Sequence, residues 1–294
     1  MHHAILGPGG VGGLLSACLA HAGENVTMVV RQETLDIYPR QLTLESPFGN
    51  FTATVEKAAQ VPACDVLWVA VKTTQLDHAL RSFPSAQLTR AIVPLQNGID
   101  HIALLRARYG AETVFPATFA GETERVRPGY IAHRTPFARL QIIATARPLL
   151  AKTLDQFRQL GFMADFIEDE ATLLWSKLVL LAPLALTTSA AGAPTGAIRA
   201  NPDWRARLEA CVREACAVGT AEGAKLDPDG LLGLMTKLPD GMRSSMQKDI
   251  EQGNPPELDA IGGPILRGGI RHGIPTPVTR SLVTMVEQKA RLAS

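Results

Sequence analysis

The stretch His3-Ala-Ile-Leu-Gly-Pro-Gly-Gly-Val-Gly-Gly-Leu-Leu15 decides the reading of this chain. Ala4 to Leu6 is apolar and too short for a helix before the glycines begin. Gly7, Gly9 and Gly12 stand at G-x-G-x-x-G spacing, and Leu14 to Ala22 continues as an Ala-rich helical pattern. The pattern predicts a buried strand, a tight turn and a helix whose N-terminal N–H groups face a pyrophosphate. In that arrangement Gly7 makes the turn, Gly9 lets backbone approach phosphate, and Gly12 lets the helix pack on the strand. A second strand, Asn25 to Val30, closes the βαβ unit, the context that separates a dinucleotide loop from an ordinary glycine-rich turn.

The second strand runs into Arg31. An acid at this point would accept hydrogen bonds from a ribose 2′-hydroxyl, whereas a cation suits a 2′-phosphate. Glu33, two residues on, is the competing acid; Arg31 directly follows the strand, and the expectation is NADPH. Outward from there, Gln41 to Val55 alternates around Pro47-Phe-Gly-Asn50 as a hairpin. Asp65 to Val71 and Ala91 to Leu95 are apolar runs that fit buried parallel strands. They end in Lys72-Thr-Thr-Gln75 and Gln96-Asn-Gly98, and open α/β sheets bind ligands beyond such carboxyl ends. Read singly, Asn97-Gly98 is equally a turn dipeptide.

Further on, strands are expected at Val114 to Thr118 and Tyr130 to His133, with Arg127-Pro-Gly129 as a turn. A helix follows at Leu149 to Leu160, then a strand at Met163 to Ile167. Glu168-Asp-Glu170 marks a domain boundary, after which only helices are read: Ala171–Leu186, Pro202–Ala221, Leu231–Met235, Met242–Glu251, Glu257–His272 and Pro277–Ala293.

Composition narrows the class. The 294 residues are 46% hydrophobic and 19% charged, with a net charge of +1, which gives no support to nucleic-acid binding. No uninterrupted apolar run reaches the roughly 18 residues that span a bilayer, and Leu178 to Leu186 is broken by Pro183. Cys18, Cys64, Cys211 and Cys216 lack C-x-x-C spacing and read as reduced thiols, which points to a cytoplasmic protein. The seven histidines show no ligand spacing, so no metal is expected.

Lys177 lies in Leu173-Leu-Trp-Ser-Lys-Leu-Val-Leu-Leu-Ala182. A lysine in so apolar a helix either snorkels to the surface or is held inside for a purpose. Taken with G-P-G-G-V-G (7–12), V-K-T-T-Q (71–75), L-Q-N-G (95–98), W-S-K-L (175–178), S-S-M-Q-K-D (244–249), E-L-D-A-I-G-G (257–263) and H-G-I-P-T-P (272–277), it gives the chain a family likeness. Over essentially its whole length the sequence resembles the ketopantoate reductase (2-dehydropantoate 2-reductase) family.

The resemblance implies an α/β N-terminal Rossmann domain with a doubly wound sheet (1–168) and an all-helical C-terminal domain (169–294), the active site lying in the cleft. It implies NADPH-dependent hydride transfer to the carbonyl of a 2-oxo acid, the pantothenate-biosynthesis reaction. Lys177 matches the catalytic lysine that protonates the developing alkoxide, and Glu257 the acidic residue that sets the lysine's charge and also meets the cofactor. The implied cofactor contacts are Gly7, Pro8, Gly9, Gly10, Val11, Gly12, Arg31, Lys72, Gln75, Asn97, Ala120 and Glu257. Asn97 bridges nicotinamide and substrate, and Ser245 holds the substrate carboxylate. Many such reductases are dimers through the helical domain, so a homodimer is expected, with a small 2-oxo acid as partner and neither nucleic acid nor membrane.

The departures matter as much. Four and eight residues after the lysine, family members acting on ketopantoate carry asparagines; here Leu181 and Ala185 stand at those substrate-binding positions. Losing groups that hydrogen-bond a hydroxyl removes the basis for selecting one. Either a less polar 2-oxo acid replaces ketopantoate, or Thr187, Thr188 or Ser189 supplies a substitute hydroxyl. Two other readings compete. A 3-hydroxy-acid or 6-phosphogluconate-type dehydrogenase predicts Lys-x-x-x-Asn, and Leu181 occupies the Asn position. A catalytically degenerate NADPH-binding paralogue would not need Lys177, Glu257, Asn97 and Ser245 together.

Overall fold

A computed structural model describes residues 1–85 and 88–293, the last without its side chain. The chain divides into two compact units, Met1–Gln96 with His101–Glu168, and Asn97–Asp100 with Asp169–Ser294.

In the first unit β1 (His2–Leu6), α1 (Gly10–His21) and β2 (Asn25–Val29) form the expected βαβ. The hairpin follows as β3 (Gln41–Glu45) and β4 (Phe51–Thr54), which pair antiparallel. Next come β5 (Glu56–Ala58), β6 (Cys64–Val69), the short α2 (Leu76–Ala79) and β7 (Thr89–Pro94). The main sheet has the order β5-β2-β1-β6-β7, and every pair in it is parallel. This is the Rossmann arrangement, and the order reverses between β1 and β6.

Burial on both faces explains the continuous apolar runs in its strands. Ile5, Trp68 and Val93 point to one core, shared with Leu14 and Leu15 of α1. Their neighbours Leu6, Leu67 and Ile92 point to the other, which holds Leu76, Leu80 and Phe83. Helices therefore cover both sides, as a doubly wound sheet requires.

The remaining elements of this unit are α3 (His101–Tyr109), β8 (Ala117–Ala120), β9 (Thr123–Arg127), β10 (Tyr130–His133), β11 (Arg139–Ile143), α4 (Arg147–Gln159) and β12 (Met163–Ile167). They build two small sheets, β4-β3-β10-β9 and β12-β11-β8. The strand expected at Val114–Thr118 is displaced. Val114 makes only an isolated bridge to Ile92, and pairing with β11 begins after Pro116. Proline has no N–H for a ladder, so the chain changes sheet there.

The second unit contains no strand among its described residues. Its helices are α5 (Glu170–Ala191), α6 (Thr195–Ala200), α7 (Pro202–Ala221), α8 (Pro228–Met235), α9 (Ser245–Glu251), α10 (Leu258–His272) and α11 (Pro277–Ala293). The Asp169 carboxylate caps α5 by accepting from the Thr172 N–H at 2.6 Å. The helix passes through Pro183, runs to Ala191, five residues beyond its expected end at Leu186, and is closed by Gly192, whose φ of +68° is left-handed. By length and composition α5 could cross a membrane, its most apolar 18 residues having a mean hydropathy of 1.5. Yet 67% of that window is buried inside the protein, where Trp175, Leu178, Val179 and Ala182 join the helical core.

Candidate active site

The glycine loop and most of the other candidate dinucleotide contacts lie on the first unit. Gly7 has φ +111°, and a Cβ on it would lie 2.7 Å from Val71 Cγ1, so the turn leaves no room for a side chain. A Cβ on Gly12 would come within 2.0 Å of the Gly7 carbonyl oxygen. Gly9 differs: nothing lies within 4 Å of where its Cβ would be. It is the N-cap of α1, makes no side-chain cap, and is followed by a first turn without acids. The positive end of the helix dipole thus meets open space, a donor set suited to a pyrophosphate.

Val11 continues the same turn into α1, and Pro8 sits between the buried Gly7 and the half-buried Gly9. Arg31 is exposed two residues beyond β2, and its guanidinium makes no hydrogen bond or ion pair among the described residues. Glu33 lies inside the single 3-10 turn that Arg31 opens. Lys72 starts another such turn directly beyond β6, with Gln75 exposed at its end. Ala120 is the exposed last residue of β8. Three residues later the Thr123 carbonyl oxygen lies 2.4 Å from a Cβ placed on Gly10.

The candidate catalytic residues lie on the second unit. Lys177 projects from α5 and is half-buried. Burial pulls its pKa down to about 8, against the opposing pull of the nearby Glu257 carboxylate. It is therefore not a lysine that has escaped to water. Glu257, 7% exposed, precedes α10 and accepts a hydrogen bond from Asn97 Nδ2 at 2.9 Å. Asn97-Gly98 is a turn: Gly98 has φ +79°, and a Cβ there would lie 2.1 Å from the Ala260 carbonyl oxygen. Arg267 ties the same segment down, bonding Asp100 and donating to Asp259 at 2.7 Å. Lys177, Glu257 and Asn97 thus form one connected group.

Ser245 stands outside that group, exposed at the first position of α9. Its neighbour Ser244 caps α9 and bonds Thr188 Oγ1 at 2.9 Å, joining α9 to α5. The substrate-binding expectation for Ala185 is corrected. Ala185 has no exposed surface and belongs to the helical core, so it offers a ligand nothing. Leu181, one turn after Lys177, is half-buried at the margin of that core. The substitute hydroxyls fail for a related reason. Thr187 and Thr188 are fully buried and donate to the carbonyls of Pro183 (2.7 Å) and Leu184 (2.8 Å). Ser189 is 2% exposed, with its hydroxyl enclosed.

Two arginines that bond these segments, one in each unit, carried no signal in the sequence. Arg267 was one cation among many on a helix, and Arg125 lies in a charged segment that does not read as a strand. Arg125 Nη1 donates to the Pro8 carbonyl at 3.0 Å.

Residues 3–144 match the model of "Ketopantoate reductase PanE/ApbA", and residues 171–290 that of its C-terminal domain. The chain belongs to the ketopantoate reductase family. Among its relatives, the 2-dehydropantoate 2-reductase of Caulobacter vibrioides is 31% identical over 300 residues, covering 98% of each chain. A PanE/ApbA family ketopantoate reductase from Ralstonia eutropha JMP134 superposes with a TM-score of 0.88 at 25% identity, covering 100% of this chain and 99% of that one. D-mandelate dehydrogenase, in a ternary structure with NADH and anilino(oxo)acetate, has the same fold (TM-score 0.87, 18% identity, 100% and 99% covered). As a ketopantoate reductase family member the protein is an oxidoreductase of the CH–OH/carbonyl pair, and its coenzyme is a nicotinamide dinucleotide.

Proposed function

We propose that this protein reduces the carbonyl of a 2-oxo acid less polar than ketopantoate to a 2-hydroxy acid, using NADPH, with Lys177 as the general acid. The observation that carries the reading is a lysine drawn by burial to about 8 beside a carboxylate that is itself hydrogen-bonded to Asn97. An ammonium so tuned is charged at neutral pH and gives up its proton readily.

The residues that would hold the dinucleotide are those of the glycine loop, with Arg31 at the 2′-phosphate and Lys72 and Gln75 beyond β6. When bound, the nicotinamide supplies the hydride. Lys177 stabilises the negative charge that develops on the carbonyl oxygen and then donates its proton to that oxygen. Glu257 offsets the burial of the ammonium and keeps it from losing its proton too early. Asn97 has one amide N–H directed to Glu257, which leaves its second N–H and its carbonyl oxygen to orient reactants. The Ser245 hydroxyl takes the substrate carboxylate, and the protein works as a homodimer.

Leu181 supports the less polar substrate. Its side chain cannot pair with a hydroxyl, and an unpaired hydroxyl beside it lowers affinity. The test is kcat/KM across ketopantoate, 2-oxoisovalerate, 2-oxo-4-methylpentanoate and phenylglyoxylate, each with NADPH and NADH. Apolar 2-oxo acids should lead, with NADPH preferred. Ketopantoate as clearly the best substrate refutes the substrate reading, and an NADH preference refutes the role of Arg31.

A further inference from the structure

The strand β9 is an edge strand of the β4-β3-β10-β9 sheet and takes no part in the dinucleotide-binding sheet. It nevertheless runs against the start of α1. A Cβ on Gly10 would lie 2.4 Å from the Thr123 carbonyl oxygen and 2.9 Å from the Glu124 nitrogen, so two backbones meet there. Two residues beyond Thr123, on the same face of the strand, Arg125 reaches the glycine loop and donates to the Pro8 carbonyl.

We propose that Arg125 binds the pyrophosphate of the dinucleotide, as a cation supplied to the glycine loop by a second sheet. The bond to Pro8 fixes the guanidinium one residue from Gly9, where the loop is open and α1 presents its positive end. A guanidinium has five N–H donors, and the Pro8 carbonyl takes only one. Its other protein neighbour is the buried Tyr38 phenol, which carries no charge.

The electrostatics point the same way. Two other arginines of this unit are neutralised: Arg134 pairs with Glu45 and Arg40 with Glu56. No carboxylate pairs with Arg125 among the described residues. An unneutralised cation is thus held beside a helix N-terminus of the same sign, an arrangement that an anion stabilises from both sides. Arg31, at the far end of β2, is the cation for the 2′-phosphate, so the two arginines should read different parts of the coenzyme.

This inference rests on the reading of the glycine loop as a pyrophosphate cradle, and calorimetric titration separates the two. The probes are ADP and 2′,5′-ADP, added to the full chain without substrate. Arg125→Gln keeps a donor for Pro8 but removes the charge; it should weaken ADP, which carries the pyrophosphate, about tenfold, and 2′,5′-ADP, which has a single phosphate at the 5′ position, less. Arg125→Lys should recover part of that loss. Arg31→Ala should weaken 2′,5′-ADP and leave ADP unchanged. Arg125→Gln binding ADP as tightly as wild type makes Arg125 a loop anchor and overturns the proposal, whatever its melting temperature. Wild-type protein that binds neither nucleotide overturns the pyrophosphate reading itself, and this proposal with it.

Discussion

Asn97 Nδ2 donates to Glu257 Oε2 over 2.9 Å, joining a turn that leaves β7 to the start of a helix 160 residues later in the chain. The carboxylate so anchored is the one whose charge acts on Lys177. Removing that charge in Glu257→Gln leaves burial unopposed, and the lysine pKa should fall further below about 8. The pH profile of kcat/KM for reduction should then lose its alkaline side earlier than in wild type. A profile unchanged in Glu257→Gln means that the carboxylate does not tune the lysine.

The wild-type profile has a sign of its own. Reduction needs the ammonium, so its rate should decline as pH rises through about 8. Oxidation of the hydroxy acid needs the neutral amine and should rise over the same interval. Measuring both directions between pH 6 and 10 checks this, since a general acid of ordinary lysine pKa places both changes well above pH 9.

Lys177 should also cost the protein stability. Its folded pKa lies below its unfolded one, so the penalty for burying the charge is fully present below about pH 8 and fades as pH rises toward 10.5. Lys177→Met should therefore be more stable than wild type at pH 7, by about 1–3 kcal/mol, with the gap narrowing at pH 10. Turnover should drop by about 10²–10⁴ while NADPH binding is retained. Urea denaturation at the two pH values gives the stability, and a less stable variant at pH 7 contradicts the account.

Glycine substitutions should separate folding from binding. Gly12→Ala sets a methyl group against the Gly7 carbonyl oxygen, and a loss of about 3 kcal/mol or more is expected. Gly9→Ala meets nothing in the protein, so its melting temperature should stay close to wild type while dinucleotide affinity falls. Equal affinity in Gly9→Ala places the pyrophosphate elsewhere.

Glu24 predicts acid behaviour far from the site. Burial opposes its ionisation, but hydrogen bonds from the N-terminal ammonium, Gln156 (2.7 Å) and Lys152 (3.0 Å) hold its pKa at about 2. A depressed carboxyl contributes stability that is present above its unfolded pKa and lost as pH falls toward the folded one. Glu24→Gln should cost about 2–3 kcal/mol at pH 7, with the difference shrinking below pH 4. Melting curves of the two proteins at pH 7 and pH 3 provide the comparison.

What the sequence disclosed follows from local physics. The βαβ start was legible because glycine spacing and strand length act within a dozen residues. Strands β1, β6 and β7 were legible because burial on both faces makes them uniformly apolar. Strand β9 was not: Thr-Glu-Arg-Val-Arg is charged and mostly exposed, and only its partner β10 makes it a strand. The short α3 and α6 were missed beside turn residues that read as loop. The direction in which a helical residue faces was also out of reach. Positions four and eight after Lys177 drift about 40° and 80° around a helix, which leaves Leu181 at the margin and carries Ala185 into the core.

The chain does not divide at a single point, because residues 97–100 belong with the helices although 1–96 and 101–168 belong with the sheets. Recombination among relatives therefore has an unobvious seam. A chimera joined at residue 168 would draw its Asn97 from one parent and its Glu257 from the other, and likewise Asp100 and Arg267. Such hybrids could inherit two intact folds and still pair residues that never evolved together. Exchanging 97–100 along with the helical half keeps each pair from one lineage.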